Sequence, residues 1–478
     1  MKLMFRYLGE SVVHRASAAF FTLILLLGTF LAAPLRAGDD NDKNTNPVAA
    51  PLRAANDNDM TTDPAAAPPS AVAESRNSSG TSVWHQPYMF NWGPERQRLE
   101  DKGLKFTFFY ITDAFGNKKT PKEVDEQFSA WYRIRGTVDV DLGKFTAAKG
   151  LTFHITGLWQ GGQNMGNIIG SLVNPSSLVS IHTFRLDSAW LQQSLFDGKL
   201  LITGGQMATQ DFYGLGLMGN NFLMEPFGYN FGIMGNAGAS WDPASGPAGN
   251  IKVFPIKPIK NFYFQTGYFS GRNYSETGWN YSKKTPPTYN SEIGYSFDGN
   301  AASGKTYPGT YEVGSIYNNG YWNSGGVHTF TSANPPYLPT QGNYLVYFQG
   351  AQAVYRVEPG SNRGLDVLFG LTRSPDGVLH AVNQEYKMGA SFNGPLSFRP
   401  KDTVSFGFVY SKIEGKYNDY LTSIGKPKLN DEKALELSYR AQVTPWMILQ
   451  PTMQHYSSLG GVSGHEAYLA GLRLQVFF

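Results

Sequence analysis

The sequence has no cysteine, which excludes disulfides and thiolate metal sites at once. Charge is scarce too: Asp, Glu, Lys and Arg make up 16 % of the 478 residues, against roughly 25 % in an ordinary soluble domain. Metal-ligand spacing is missing, since His154, His182, His328 and His380 stand far apart with no short repeat of the kind that binds zinc. Residues 1–37 hold Lys2, Arg6, Arg15 and Arg36 against Glu10, which accounts for the whole formal charge of +3. The remaining chain is neutral, so the basic surface that nucleic-acid binding requires is absent. Beyond the N-terminus there is no run of 18 or more apolar residues, and no membrane-spanning helix is predicted there.

The single long apolar run, AFFTLILLLGTFLAA from Ala19 to Ala33, follows Arg6, His14 and Arg15 and precedes PLRAG. A basic stretch, a short apolar core and small residues at its end predict a secretory signal peptide over 1–37; a membrane anchor needs nearer 20 apolar residues. Residues 38–85 are rich in Ala, Asn, Asp, Pro, Ser and Thr, and APLRAGDDND returns as APLRAANDND 17 residues later. The Asp/Asn clusters lack the glycine and the distal glutamate of a calcium loop, so a disordered periplasmic linker is predicted.

What the chain does have is aromatic and glycine content, with 32 Phe, 27 Tyr, 9 Trp and 53 Gly. From about Trp92 onward its texture is that of β-strands. WYRIRGTVDVDL alternates Tyr132, Ile134, Val138 and Val140 against Arg133, Arg135, Thr137, Asp139 and Asp141. VSFGFVYS, LELSYRAQV and the closing AYLAGLRLQVFF keep the same beat of two, with successive side chains on opposite faces. In RLDSAWLQQ the phase is ambiguous. A soluble sandwich with one wet face would also alternate. Aromatics gathered near strand ends, recurrence to the last residue and scarce helical periodicity favour a transmembrane antiparallel β-barrel over 86–478. Sixteen strands would take about 25 residues each, turns included, where a spanning strand needs about 9–11; fourteen or eighteen would also fit. Ser270 to Thr340 is predicted to form long extracellular loops broken by a strand at GTYEVGSIY.

With Tyr132, Ile134 and Val138 toward lipid, Arg133, Arg135, Asp139 and Asp141 face the lumen. The same phase places Lys105, Asp113, Lys252, Gln265, Arg356, Asp366, Glu436, Arg440, Gln442, Gln450, Gln454, Arg473 and Gln475 inside. Such a wall mixes both charge signs with amides. A ring of one sign would select ions, whereas mixed donors and acceptors suit a neutral polyol. Loop aromatics such as Trp279, Tyr281, Tyr317 and Trp322 are candidates to stack on sugar rings or to pack in the loops and girdle. An enzymatic alternative is a barrel hydrolase using His455 and Ser457, two apart in QHYSS. A nucleophile needs its base, and the base an orienting group. No Asn or Asp follows Asp431, and Glu466 is the nearest later acid.

The order of motifs resembles the carbohydrate-selective porins of Gram-negative outer membranes (OprB type). The resemblance runs from WGPERQRLEDKGLKFTFFYITDAFGN through AWLQQSLFDGKLLITGGQM, NFYFQTGYFSG, PGTYEVGSIYNNG, FQGAQAVYR and RGLDVLFGLTRSP. NGPLSFRPKDTVSFGFVYSKI and PWMILQPTMQHY lead on to the final strand. It implies a sixteen-stranded barrel with short periplasmic turns and longer extracellular loops, taking up mono- or small oligosaccharides such as glucose by passive diffusion without a cofactor. Within channels, a general or anion-preferring porin is the alternative. The resemblance also places Arg185 and Asp187 inside, and Phe478 resembles the terminal signal read by the barrel-assembly machinery. Outer-membrane lipid is the expected surroundings, and the oligomer is left open between monomer and homotrimer.

Overall fold

Period-two alternation becomes a single antiparallel sheet that closes on itself. The computed structural model describes residues 88–478, apart from 91, 119–120, 122–124, 229–233, 255–261, 272–285, 298–306, 323–327, 330–339, 360 and 378. The predicted signal peptide and linker, and the aromatics Trp279 and Tyr281, lie outside the described residues.

A short helix, α1 (Pro94–Asp101), precedes the sheet. The first strands are β1 (Leu104–Lys118), β2 (Phe128–Asp141), β3 (Leu151–Gly162), β4 (Thr183–Leu195), β5 (Leu200–Met207) and β6 (Gly246–Val253). Next come β7 (Phe262–Phe269), β8 (Thr288–Phe297), β9 (Gly309–Trp322), the two-residue β10 (His328–Thr329) and β11 (Thr340–Arg356). The series ends with β12 (Gly364–Arg373), β13 (Val382–Asn393), β14 (Thr403–Ile413), β15 (Glu432–Thr444), β16 (Met447–Ser457) and β17 (Glu466–Phe477). Each strand pairs with its sequence neighbours, β10 being a small arm on β9. Sixteen strands therefore form the wall.

Closure comes from β17 on β1, in register from Phe109 opposite Phe477 to Lys118 opposite Tyr468. Without an edge, the outer groups of the first and last strands find partners, which hydrocarbon demands. The end where β1 starts and β17 finishes, here the termini end of the barrel, has tight connections, such as 196–199 and 445–446, whereas 163–182 and 208–245 are at the opposite end. Phe478 donates its N–H to Phe108 O at 2.9 Å, and Arg96 of α1 donates to Phe106 O at 2.6 Å and to Phe478 O at 3.3 Å. The sequence reading had no helix at Pro94–Asp101, where the residues are too polar for a periodic signal.

The two faces sort as the alternation predicts. Leu437, Met453, Phe406, Leu472 and Tyr468 are exposed on the outside, while Glu436, Thr452, Ser405 and Arg473 are buried on the inside. The ambiguous phase of RLDSAWLQQ has a physical cause. Between β3 and β4, Thr156 pairs with Ser188 and Gly157 with Leu186, so Asp187 is an extra residue in a β-bulge. A bulge re-phases the strand. Arg185 faces inward before it, as does the bulged Asp187, and Ser188 and Trp190 after it. A second irregularity between Ala353 and Tyr355 likewise brings Arg356 inward. In the 270–340 stretch, GTYEVGSIY does form β9, but β8 is an additional strand there that the loop reading did not include.

Candidate functional site: the loop-filled lumen

Two connections at the end opposite the termini fold into the barrel. Segment 208–245 buries Phe222, Leu223, Met224 and Phe227, and segment 163–182 buries Val173 and Leu178. The Phe222 and Phe227 rings stack at 4.1 Å. They lie against the wall where β13 and β14 carry glycine. A Cβ on Gly407 would stand 2.7 Å from Phe227 Cζ, and one on Gly389 3.0 Å from Phe222 Cζ. Missing side chains in the wall thus make room for the loop's rings.

Polar anchoring follows one rule: wall carboxylates accept loop N–H groups, and wall cations reach loop oxygens. Glu436 accepts from Leu223 N at 2.7 Å and Met224 N at 2.8 Å. Glu432 accepts from Leu172 N at 2.9 Å and Val173 N at 2.7 Å, and also from Gly460 N at 2.7 Å. Glu292 takes Gly214 N at 2.9 Å. Among the cations, Arg133 and Arg135 converge on Asp242, at 2.9 and 2.6 Å, and Arg135 also meets Asp187 at 3.2 Å. Arg473 grips Asp113 through Nε at 2.6 Å and Nη2 at 2.7 Å, with Ser177 Oγ at 2.9 Å. Lys387 donates to Pro226 O at 2.7 Å. The two segments also bind each other, Ser177 N donating to Leu223 O at 2.7 Å. Charge-assisted hydrogen bonds of this kind are about twice as strong as neutral ones, so the segments are held as a fixed insert.

Of the residues anticipated to line the pore, Arg133, Arg135, Asp187, Glu436 and Arg473 are drawn together around this insert as anchors. Arg185 is buried on the same face, donating Nε to Leu186 O at 3.3 Å. Gln265 is buried too, bonded to Phe212 O and, at 2.6 Å, to Glu292. Asp139 lies nearer the termini end, its carboxylate 2.7 Å from His154 Nδ1; His154 stacks on Trp190 at 4.4 Å. Arg356 pairs with Asp366 at 2.6 Å beside the 357–363 turn. Asp141 departs from expectation: its side chain accepts from Gly143 N at 3.0 Å and caps the turn 142–144 instead of lining the pore. The geometry there is local, since a carboxylate beside a tight turn finds the N–H two residues on. Arg440 is inward and half-buried, and its side chain makes no hydrogen bond or ion pair with any described residue.

Asp242, Glu292, Glu432 and Lys387 were not singled out from the sequence. Glu432 is in phase with Glu436 and Lys387 alternates within QEYKMGAS, so extending the period of two would have found both. Asp242 sits in irregular chain, where no period exists. Tyr317 is on the outer face, 46 % exposed, which removes it from any lumen role. His455 and Ser457 also point outward; the His455 ring packs on Tyr468 at 4.5 Å and its Nε2 has no hydrogen-bond partner among the described residues. The nucleophile–base hydrogen bond that a hydrolase requires is therefore not formed in this structure.

Comparison with known proteins agrees with this architecture. The family model for "Carbohydrate-selective porin, OprB family" matches residues 126–478. Porin B of Pseudomonas aeruginosa is 24 % identical over 444 residues, covering 86 % of this chain and 94 % of that protein. Putative porin QuiX of Acinetobacter baylyi is 23 % identical, covering 86 % and 98 %. The high-pH structure of Pseudomonas putida OprB superposes with a TM-score of 0.74 at 22 % identity, covering 83 % of this chain and all of that one. With a family model spanning most of the barrel, a closed sixteen-stranded wall and a loop-filled lumen, the chain belongs to the carbohydrate-selective porin (OprB) family.

Proposed function

We propose that the barrel conducts small neutral sugars by passive diffusion, selecting them by the width and polarity left beside the in-folded segments. Supporting this reading above all is the pairing of the lumen arginines. Arg133, Arg135 and Arg473 are each paired with buried aspartates. With those arginines paired, the wall offers dipoles and paired charges that can hydrogen-bond to the hydroxyls of a passing solute. Arg440 and the Asp139–His154 pair are among the wall groups with side chains left partly open to water, and we assign them the weak contacts that let a solute enter and leave. The same pairing of cations weighs against the anion-preferring alternative. On this reading the protein is a channel without catalysis. It is exported by residues 1–37, inserted with Phe478 as its assembly signal, and surrounded by outer-membrane lipid.

Liposome swelling tests the proposal. Glucose should enter faster than neutral amino acids or organic anions of equal size; equal entry of all three would remove sugar selectivity.

A further inference from the structure

Strands β12 to β15 present a basic row on their outer face, at the rim opposite the termini. Arg373 of β12 lies opposite Gln384 of β13, which lies opposite Lys412 of β14. On β15, Lys433 lies opposite Tyr410, a diagonal neighbour of Lys412. Adjacent strands are about 4.8 Å apart, so the row spans roughly 15 Å of rim. Each of these residues alternates with buried inward neighbours, among them Ser411, Ile413, Glu432 and Ala434. Lys416 and Lys428 continue the exposed positive charge into the connection above.

The acids near the row take up part of its charge, Arg373's above all, and leave the lysines of β14 and β15. Asp376 takes Arg373 at 2.9 Å, and Asp419 is 3.9 Å from Lys428. Asp431 is engaged by Tyr410 Oη and by Ile413 N, and Glu414 accepts from Lys416 N at the start of helix 415–423. Lys412, Lys416 and Lys433 make no ion pair with any described residue.

The height of the row matters as much as its charge. Tyr386 and Tyr410 face each other across β13 and β14, ring centroids 5.9 Å apart, and below them Met388, Phe406 and Leu437 are exposed apolar residues. Aromatic girdles mark the membrane–water interface. Lys412 is two residues beyond Tyr410, about 7 Å further out along the strand. That is the level of lipid headgroups, outside the hydrocarbon.

We infer that this rim is a docking surface for a phosphorylated lipid headgroup of the outer leaflet. It rests on the barrel's outer-membrane placement, not on which solute passes. Phosphate is the matching chemistry: ammonium groups meet it as point charges, Gln384 adds a neutral donor, and the Tyr386–Tyr410 pair supports the adjoining acyl region.

Native mass spectrometry of the barrel purified from outer membranes tests this, with bisphosphorylated lipid A, its dephosphorylated form and inorganic phosphate as probes. Wild type should retain the bisphosphorylated lipid and lose the dephosphorylated one. A cation near an anionic surface contributes about fivefold in affinity, so Lys412→Gln with Lys433→Gln should weaken retention about thirtyfold. Lys412→Arg with Lys433→Arg should keep it, and both double variants should show wild-type heat-modifiable mobility and conductance. Equal retention by wild type and the Gln pair, or of both lipids by wild type, would overturn the assignment. Displacement of the lipid by inorganic phosphate at comparable concentration would overturn it as well, by showing an anion site without lipid recognition.

Discussion

Glu436 is the residue on which the position of the lumen insert depends most directly. Its carboxylate, 1 % exposed on β15, holds two consecutive backbone N–H groups, Leu223 and Met224, beside the stacked Phe222 and Phe227. In Glu436→Ala both amides lose their acceptor inside the barrel. Leaving one buried donor unsatisfied costs about 1–3 kcal/mol, so the seated insert is destabilised by about 2–6 kcal/mol. Even 2 kcal/mol moves a two-state equilibrium about thirtyfold. Other anchors, at Asp242 and Gly214, restrain the rest of the segment, so the change is expected to be a local withdrawal of 222–227. Glu436→Gln retains a single acceptor oxygen and should lie between the two. The ladder of β14, β15 and β16 is untouched, so heat-modifiable mobility should remain that of wild type. Single-channel conductance should rise in the order wild type, Gln, Ala, and swelling assays should show trisaccharides gaining entry relative to glucose. Unchanged conductance and unchanged size selectivity in both variants, with the barrel folded, would refute the argument that this insert borders the conducting path.

Arg440 and Arg135 should separate solute contact from scaffolding. Arg440→Ala should alter glucose flux while leaving thermal stability unchanged, whereas Arg135→Ala leaves Asp242 and Asp187 short of a cation and should lower the unfolding temperature as well. His380, in the 374–381 connection, is pushed down to about 3 by burial and lies 3.2 Å from Asn343 Oδ1. With its folded value depressed, its contribution is complete above the unfolded value near 6.5. It is lost as pH falls from there toward 3, at up to about 1.4 kcal/mol per pH unit. Proteolytic protection of that connection should fall with acid in the wild type and change less in His380→Gln. On the lipid face, Leu437→Arg should cost about 2–4 kcal/mol if it lies near the bilayer midplane, read as a lower denaturant midpoint in vesicles; an unchanged midpoint would remove Leu437 from the hydrocarbon.

Which residues face inward was legible from the chain because strand alternation is local: each side chain's face follows from its parity alone. Arg133, Arg135, Glu436 and Arg473 are therefore where alternation put them, and so are Leu472 and Tyr468 on the opposite face. Parity fails where one residue is inserted, and the bulge at Asp187 is the reason RLDSAWLQQ had no single phase. What those inward charges do was not legible, because it depends on groups far away in sequence. Alternation cast Arg133 and Arg135 as a wetted wall; Asp242, more than a hundred residues later, makes them anchors. Nor does anything local in 208–245 mark it as the segment that enters the barrel. It enters because glycines at 389 and 407, carboxylates on β15 and arginines on β2 face the same space once the sheet closes. Closure is a property of the whole sheet, and the lumen chemistry exists only after it.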